Sequence, residues 1–520
     1  MQKPVHPAPQ AGAREWIGLA ALILPCIIYS MDLTVLNLAV PHLSADLDPS
    51  AVQTLWIMDI YGFMVAGALI TMGTLGDRIG RRKLLMIGAA CFGFTSLLAA
   101  FAPTAELLIL ARALLGISAA TLAPSTLSLI RNMFLDGRQR TFAIGVWVAG
   151  FSVGGAIGPL VGGMLLEHFW WGSVFLINVP AMALLLIVAP FLLPEYRDGK
   201  THRLDLFSAA QSVVAVLAII WSLKDIAVHG VGAMPLAALV LGLAMAALFA
   251  RRQYRLDEPL IDISLFEVPA VRSSLVVNMA GLFALFGAFF FIAQYLQLAL
   301  GMTPLQAGIW LAPSGVIFAF SSMLTPALAQ RFRPSFIIGG GFALTALGFV
   351  VMAMVEAFGP MAVLAGLVLC SLGFSPVSIL TTDLVMASVP PEKAGQASGV
   401  SETSFEFGGA AGIAVLGSIF VAIYRGMLER LPQGIPDDVA AIARGTLGGA
   451  FEAAKSLPTE TGTALLDTAS RAFAHAFAIT SAVSAVLTFF IALFAVTTLR
   501  GPHDRSGLER EAAGLRPVSH

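Results

Sequence analysis

The chain has 520 residues, of which 58% are hydrophobic and only 12% are charged, and its mean hydropathy is +0.86. This composition lies far from that of soluble globular proteins and excludes that class. A formal net charge of −1 does not point to a polyanionic partner, so we expect no nucleic-acid binding.

Apolar stretches follow one another along the chain, and each approaches the roughly 20 residues that a helix needs to cross about 30 Å of hydrocarbon. Backbone groups find no water there, so these stretches must be helices rather than the short alternating strands of a barrel. We therefore predict an all-α membrane protein with about fourteen transmembrane helices. The predicted spans are 16–39, 52–73, 84–101, 106–130, 142–165, 172–193, 206–223, 234–250, 272–297, 304–328, 336–355, 360–388, 400–424 and 473–499.

Basic residues occupy alternate gaps between these spans. The gaps of one side hold 23 lysines and arginines, whereas the short gaps of the other side hold only Lys224. Cytoplasmic loops retain Lys and Arg, so this asymmetry predicts a multi-pass protein with both termini in the cytoplasm.

Residues 73–88 and 325–340 form a weak internal repeat in which a basic turn joins two spans. The second copy has lost the acid of the first, but the arrangement fits two bundles that face a central site. The predicted division is an N-terminal six-helix bundle (1–193), a linker with two extra spans (194–271), a C-terminal six-helix bundle (272–499) with an external loop (425–472), and a cytoplasmic tail (500–520).

Apolar residues recur every three or four positions over 439–454, within the predicted external loop. This spacing predicts one short amphipathic helix. It would either lie on the outer membrane surface or cap the bundle.

Ionisable residues inside spans are costly and are functional candidates by default. Asp32, Asp59 and Arg112 lie in spans one, two and four, each about 10 Å below the predicted outer surface at a helical rise of about 1.5 Å per residue. A buried carboxylate near a cation ionises easily and takes up a proton when the cation leaves. Such a group can exchange a proton for a cationic ligand. The alternative is a static Arg112–Asp32 pair that only joins helices.

Glu402 and Glu406 are four residues apart and share one face of span thirteen. Two adjacent carboxylates repel each other, so they favour binding a proton or attracting a cationic substrate. Alternatively, both are solvated acids at the cytoplasmic rim. Asp383 is expected at the cytoplasmic end of its helix.

Several aromatic, flexible or amide side chains lie in or beside these spans and would suit an adaptable pocket. For any one of them, lipid contact or helix packing is the alternative. These residues are Tyr29, Met31, Trp56, Tyr61, Phe290 and Gln294.

The gap after span two reads GTLGDRIGRRK over residues 73–83, with glycines for a tight turn, an acid and a basic run. It resembles the loop signature of the major facilitator superfamily. Residues 108–120, with Arg112 and Gly116, resemble the fourth-span motif of that superfamily. The turn residues to which the resemblance gives a conformational role are Gly73, Asp77, Arg78, Gly80 and Arg81.

Two further segments resemble drug:proton exporters of this superfamily. Residues 31–41 resemble the first-span signature of the fourteen-span branch. Span five carries small residues at four-residue spacing, which lets helices approach closely, and a proline that bends it. The residues that resemble the antiporter motif are Gly154, Gly158, Pro159, Gly162 and Gly163. The chain is thus identified as a member of the fourteen-span drug:proton antiporter family, of the QacA/SmvA type.

The resemblance also implies roles for individual residues. Asp32 would be a coupling or cation-recognition acid, with Asp59 a weaker candidate, and Glu402 and Glu406 match the acidic pair of the thirteenth span. Arg112 would tune proton binding. Asp77 would brace the cytoplasmic interface between the halves.

We therefore expect a proton-coupled antiporter that exports lipophilic cationic drugs, dyes and quaternary ammonium biocides across the bacterial cytoplasmic (inner) membrane. It would work as a monomer, driven by the proton gradient, with no cofactor or metal. No nucleophile or metal constellation is present in the sequence, so we do not expect an enzyme. The alternatives are a proton-coupled exporter of an endogenous metabolite or siderophore, and a membrane sensor or scaffold that does not transport.

Overall fold

The protein is described by a computed structural model, and all regular structure in its described part is helical. The predicted tail and the basic residues Lys3, Arg197, Lys200 and Arg203 lie outside the described residues. The described residues are 10–49, 51–196, 205–256, 259–390, 393–429, 431 and 435–499.

Nineteen α-helices are described. A 3₁₀ turn (Ile263–Glu267) precedes the tenth, and a π-helical turn (Tyr295–Ala299) follows the eleventh. In chain order the helices are α1 (Ala13–Leu47), α2 (Ala51–Ile79), α3 (Arg81–Ala100), α4 (Ala105–Met133), α5 (Gly137–His168), α6 (Ser173–Leu176), α7 (Asn178–Leu192), α8 (Leu206–His229), α9 (Ala233–Gln253), α10 (Pro269–Phe289), α11 (Ile292–Gln294), α12 (Pro304–Arg331), α13 (Pro334–Ala353), α14 (Val355–Phe358), α15 (Pro360–Ala387), α16 (Ala394–Met427), α17 (Asp437–Gly445), α18 (Leu447–Ala454) and α19 (Thr459–Thr498).

Thirteen helical segments in the described part of the chain are long and apolar enough to cross a membrane. The seventh predicted span, 206–223, corresponds to α8, whose apolar stretch Phe207–Leu223 is shorter than these. The chain is therefore a multi-pass, all-α membrane protein, and the predicted count of fourteen spans is not confirmed.

Two helices extend well beyond the predicted spans. α1 ends at Leu47 rather than at residue 39, and α19 begins at Thr459 rather than at residue 473. The first turns of α19 are amphipathic, because Leu465 and Ala469 are fully buried whereas Thr463 and Asp467 are exposed. Because a hydropathy pattern detects only the apolar part of a helix, it misses such turns.

Two large cores hold the helices together. One is built mainly from α1 to α5 and α7 and includes Leu36, Phe92 and Leu115. The other comes from the helices after the linker and includes Phe342 and Phe473. Each large core thus gathers most of its residues from one half of the chain.

The two helices between the halves, α8 and α9, pack against each other, and α8 also packs against α2 and α16. A small separate cluster marks this contact, where Val216 and Ile220 of α8 meet Phe63 of α2 and Ala410 of α16. α8 therefore touches both halves.

The segment predicted as one amphipathic helix is two helices, α17 and α18. Thr446 separates them in an extended conformation, and its hydroxyl accepts from the backbone N–H of Gly449 at 2.9 Å, as an N-cap does. Both helices bury residues against the second core, and the Tyr424 hydroxyl donates to the Ala443 carbonyl at 3.1 Å. Because α16 continues to Met427 and α19 begins at Thr459, their connection is shorter than the predicted 425–472.

Candidate substrate- and proton-binding site

Asp32 of α1 lies buried among α1, α4 and α7 and has two side-chain partners. Arg112 Nη1 donates to Asp32 Oδ2 at 2.6 Å, and Asn178 Nδ2 donates to Asp32 Oδ1 at 3.2 Å. Arg112 Nε also donates to the Ile57 carbonyl of α2 at 3.1 Å. The carboxylate therefore links three helices.

The Asp32–Arg112 pair is removed from solvent, with side-chain exposures of 2% and 1%. The Arg112 guanidinium also lies over two aromatic rings, 4.7 Å from the Tyr61 centroid and 5.9 Å from that of Phe175. Loss of one partner from such a pair leaves an uncompensated buried charge. The geometry suits both of the alternatives that the sequence leaves open, a static pair and an exchangeable one.

Asn178 belongs to this site although the sequence patterns do not single it out. Its amide donates to Ser96 Oγ at 3.1 Å as well as to Asp32. The sequence does hold a signal for Asn178, which is an amide residue at the start of an apolar helix. Buried polar groups need hydrogen-bond partners, so such an amide is expected to bind another polar group. Asp59, a predicted member, is half-buried on α2 between Ile57 and Tyr61.

Glu402 and Glu406 lie inside the bundle rather than at its rim. Glu402 is eight residues after the first residue of α16, which places it about 12 Å along the helix. Both acids are half-buried. The Tyr29 hydroxyl of α1 donates to the Glu406 carboxylate, and Cys26 lies within electrostatic reach of Glu402. The acid pair therefore faces the first half of the chain.

Tyr29 and Tyr61 lie between the two groups of acids. Their ring centroids are 6.1 Å apart, and Tyr61 interacts electrostatically with Asp32, Arg112 and Glu406. The Tyr61 hydroxyl is buried and has no hydrogen-bond partner among the described residues. Ionisable groups from both halves thus converge on one pair of tyrosines.

Four further residues that the sequence predicts as pocket lining occupy different environments. Met31 is buried, Gln294 is half-buried in α11, and Trp56 and Phe290 are 39% and 48% exposed. Trp56 packs edge-on against Phe63. The contacts described for these four residues do not join them to the acids.

The small residues of α5 allow it to approach α1 closely. A Cβ at Gly154 would overlap the Ile27 carbonyl, and one at Gly158 would overlap the Thr34 hydroxyl. The same face continues to Gly162, where a Cβ would be 2.9 Å from Val35. The backbone of Pro159 lies within α5. Because α1 carries Asp32 and Tyr29, this packing positions the site.

Gly154→Ala is expected to lower the thermal stability of the protein, because the new methyl group meets a backbone oxygen that has little freedom to move. Overpacking of this kind costs about 1–3 kcal/mol. Gly163→Ala is the matched control in the same helix, since a Cβ there would meet no described atom within 4 Å. Thermal-unfolding midpoints in detergent compare the two. Equal midpoints would contradict the close approach of α1 and α5.

The basic turn after α2 contacts the second half of the chain. Asp77 pairs with Arg81 at 2.6 Å, and its two carboxylate oxygens accept from the backbone N–H groups of Gly395 at 3.1 Å and Gln396 at 3.0 Å. Gly80 joins α2 to α3 with a φ of 109°, a conformation that favours glycine. The turn therefore holds the N-terminus of α16.

Gly73 of the same motif also lies at the contact between this turn and α16. A Cβ at Gly73 would overlap the Gly395 carbonyl, so only glycine allows this approach. Arg78 is half-buried at the end of α2.

The linker after α9 joins the same contact. Thr74 donates to the Leu260 carbonyl at 2.8 Å, the Asp262 backbone N–H donates to Gln396 Oε1 at 3.2 Å, and Lys393 forms an ion pair with Asp262. Burial acts to raise the pKa of the Asp262 carboxyl, but hydrogen bonds from Lys393 and Ser264 hold that pKa below its ordinary value. The linker thus touches both halves beside Asp77.

The sequence model of the protein family described as the Major Facilitator Superfamily matches residues 22–413 of the chain. The chain belongs to the Major Facilitator Superfamily. Members of this superfamily are transporters, so the protein is not an enzyme.

Two relatives resemble the chain over nearly its whole length. The multidrug efflux pump LfrA of Mycolicibacterium smegmatis is 43% identical over 475 residues, which cover 91% of this chain and 94% of LfrA. The methyl viologen resistance protein SmvA of Salmonella typhimurium is 37% identical over 486 residues, which cover 92% of this chain and 98% of SmvA.

Two solved structures share the fold. The human organic anion transporter MFSD10 superposes with a TM-score of 0.58 at 15% identity, covering 94% of this chain and 100% of that chain. A bacterial homologue of the human lysosomal transporter Spinster superposes with a TM-score of 0.56 at 18% identity, covering 95% of this chain and 100% of that chain. At these identities the likeness shows the fold alone.

Proposed function

We propose that the chain is a proton-coupled antiporter that exports lipophilic cations, including drugs, dyes and quaternary ammonium biocides. The observation that carries the proposal is the convergence of Asp32–Arg112 and Glu402–Glu406 on Tyr29 and Tyr61. The relatives support it, since one is a multidrug efflux pump and the other gives resistance to methyl viologen, an organic dication.

In this proposal Glu402 and Glu406 recognise the cation. Two carboxylates one helical turn apart repel each other, and either a proton or a cationic substrate relieves that repulsion. The two ligands therefore compete for the same pair. The aromatic rings of Tyr29 and Tyr61 add a surface on which an organic cation can rest.

Asp32 is the proton-coupling acid in this proposal. In the present arrangement Arg112 forms a buried ion pair with it. A movement of α4 relative to α1 would lengthen that contact and make protonation favourable. Because Tyr61 touches Arg112 and interacts with Glu406, substrate at the acid pair would alter the surroundings of Asp32.

We further propose that the protein lies in the bacterial cytoplasmic membrane as a monomer, with both termini inside. The bias of basic residues towards one set of gaps supports this orientation. The gradient would then carry protons inwards as substrate leaves.

Ethidium transport in everted membrane vesicles tests the proposal. Vesicles containing the protein should accumulate ethidium when a proton gradient is imposed, and an uncoupler should abolish accumulation. Vesicles with an equal amount of the folded Asp32→Asn variant are the control. Accumulation that ignores the gradient, or its absence from vesicles with correctly folded protein, would overturn proton-driven drug export.

A further inference from the structure

The N-terminus of α16 obtains its cap from the other half of the chain. The first N–H groups of a helix lack partners within it and need acceptors. Lys393, the residue at the cap position, makes no side-chain hydrogen bond that caps the helix, and its ammonium group pairs with Asp262 instead. Asp77 instead accepts from Gly395 and Gln396, as a capping acid would. This contact, which we call the first brace, closes one end of the boundary between the halves.

The corresponding position in the second copy of the repeat has no acid. When the ends of α2 and α12 are aligned, at Ile79 and Arg331, Ala329 stands where Asp77 stands in the first copy. Ala329 lines a cavity of about 330 Å³ between α5, α12 and α15. A methyl group here cannot accept a hydrogen bond from the opposite half.

The N-terminus of α5, which faces this cavity, is capped from within its own half. Asp136 Oδ1 accepts from the Gln139 backbone N–H at 3.0 Å. Its first N–H groups therefore do not depend on an acid from the other half, as those of α16 do. A contact between the halves at this end requires side chains instead.

Asp383 of α15 supplies that contact from the opposite wall of the cavity. Its Oδ1 accepts from Arg140 Nε at 2.7 Å, and its Oδ2 accepts from the Thr141 hydroxyl at 2.8 Å. The side chains of Arg140 and Asp383 are 11% and 15% exposed. Both oxygens of one carboxylate from the second half are thus bound to the first turn of α5.

Two further bonds cross the boundary at the same end. Arg138 Nη2 donates to Gln330 Oε1 at 2.6 Å, and Arg131 Nε at the end of α4 donates to the Met386 carbonyl at 2.9 Å. Gln330 follows Ala329 directly, so the α12–α13 turn takes part through an amide rather than an acid.

We propose that Asp383, Arg140 and Thr141 form a second brace, and that Asp383 is a positioning residue which replaces the lost acid of the repeat. The transporter can open at this end only when both braces break. Asp383 therefore sets the balance between conformations and does not bind the transported proton or substrate. This inference rests on the transporter fold and holds whatever the substrate.

Distances between spin labels at residues 83 and 336 test the second brace. Lys83 lies in the first turn of α3, just after the first brace, and Phe336 lies in the first turn of α13. Both residues are exposed, and they belong to different halves. The labels go into full-length protein in which Cys26, Cys91 and Cys370 are replaced. Asp383→Asn should raise the ratio of wide to narrow distances about tenfold, as the loss of about 1.4 kcal/mol would.

Exchange of the two charges separates this role from a general loss of stability. Arg140→Asp combined with Asp383→Arg should return the distances and transport towards those of the unmodified protein, as should Asp383→Glu. Asp136→Asn is the matched control, because it lies in the same cavity but bonds only within its own half. It should leave the distances unchanged.

Should Asp383→Asn fold poorly, Thr141→Val provides a second test, since it removes one of the two hydrogen bonds that the Asp383 carboxylate accepts. It should widen the distances by less than Asp383→Asn. Unchanged distances in both variants, or a charge exchange that folds but restores neither distances nor transport, would overturn the proposal.

Discussion

Asp32→Asn is expected to abolish proton-driven export, with the rate per folded molecule falling at least about a hundredfold. The substitution keeps the size of the side chain and its contact with Asn178 but removes the group that ionises. Loss of a proton-transferring group typically costs about 10²–10⁴-fold in enzymes, and we expect a comparable loss for a coupling acid. Asp32→Glu, which keeps the carboxyl, should retain part of the activity.

The same variant should also be less stable, because Arg112 loses its counter-charge in a buried position. Breaking a buried pair costs about 3–5 kcal/mol, and the Ile57 carbonyl and the Tyr61 ring offset part of this loss. Export must therefore be normalised to the amount of folded protein, measured by size-exclusion chromatography. Asn178→Ala is the control, since it disturbs the site but keeps the charge pair. Full gradient-driven export by folded Asp32→Asn would disprove the assigned role.

Joint replacement of Glu402 and Glu406 with glutamine is expected to weaken binding of a monovalent cationic dye by about ten- to a hundredfold. At an effective dielectric constant of about 20, nearby opposite charges attract by a few kcal/mol, and each 1.4 kcal/mol is a factor of ten. Each single variant should have a smaller effect, because one carboxylate remains. Fluorescence titration of purified protein measures the dissociation constants.

A neutral lipophilic dye separates charge recognition from damage to the site. Its affinity should change by less than about twofold in the double variant, because its binding depends on apolar contact rather than on Coulomb attraction. Asp437→Asn with Asp438→Asn removes the same number of charges from exposed positions on α17 and should alter neither affinity. Equal losses for both dyes would show that the two glutamates maintain the site rather than select cations.

The contact between Asp32 and Arg112 could be anticipated from the sequence because both residues are ionisable and lie at a similar depth. Helical rise converts sequence position into depth, and polar groups in hydrocarbon seek partners. Asp32 and Arg112 are in contact although α1 runs on to Leu47, well beyond its predicted end. Asn178 was missed because an amide in an apolar run carries no charge to mark it.

The convergence of Glu406 with Tyr29 and Tyr61 could not be derived from the sequence. Their contact depends on how α16 lies against α1 and α2, and hydrophobic periodicity says nothing about which helices meet. The spacing of Glu402 and Glu406 predicted a shared face, but not the direction of that face. Likewise, the break at Thr446 depends on a single capping hydroxyl, which the apolar spacing of α17 and α18 conceals.

The proposed role of Asp383 in place of the acid that the second copy of the repeat lacks illustrates a further limit of sequence patterns. The repeat indicated where an acid was missing, at the α12–α13 turn. It could not indicate that a carboxylate from α15, more than 50 residues later, occupies the neighbouring space. Which residue lies near the position of the missing acid becomes apparent only from the packing of the helices.

The most direct test of an exchange of protons for cations is to measure protons released when substrate binds. Purified protein in weakly buffered detergent solution, at a pH near neutrality, is mixed with tetraphenylphosphonium, and a pH indicator follows the release. We expect protons to leave as the cation binds, and we expect the release to be reduced in the Glu402→Gln/Glu406→Gln variant at saturating cation. Saturable binding of the cation without any proton release across the range from pH 5 to pH 9, roughly the range in which perturbed carboxyl groups titrate, would contradict the account.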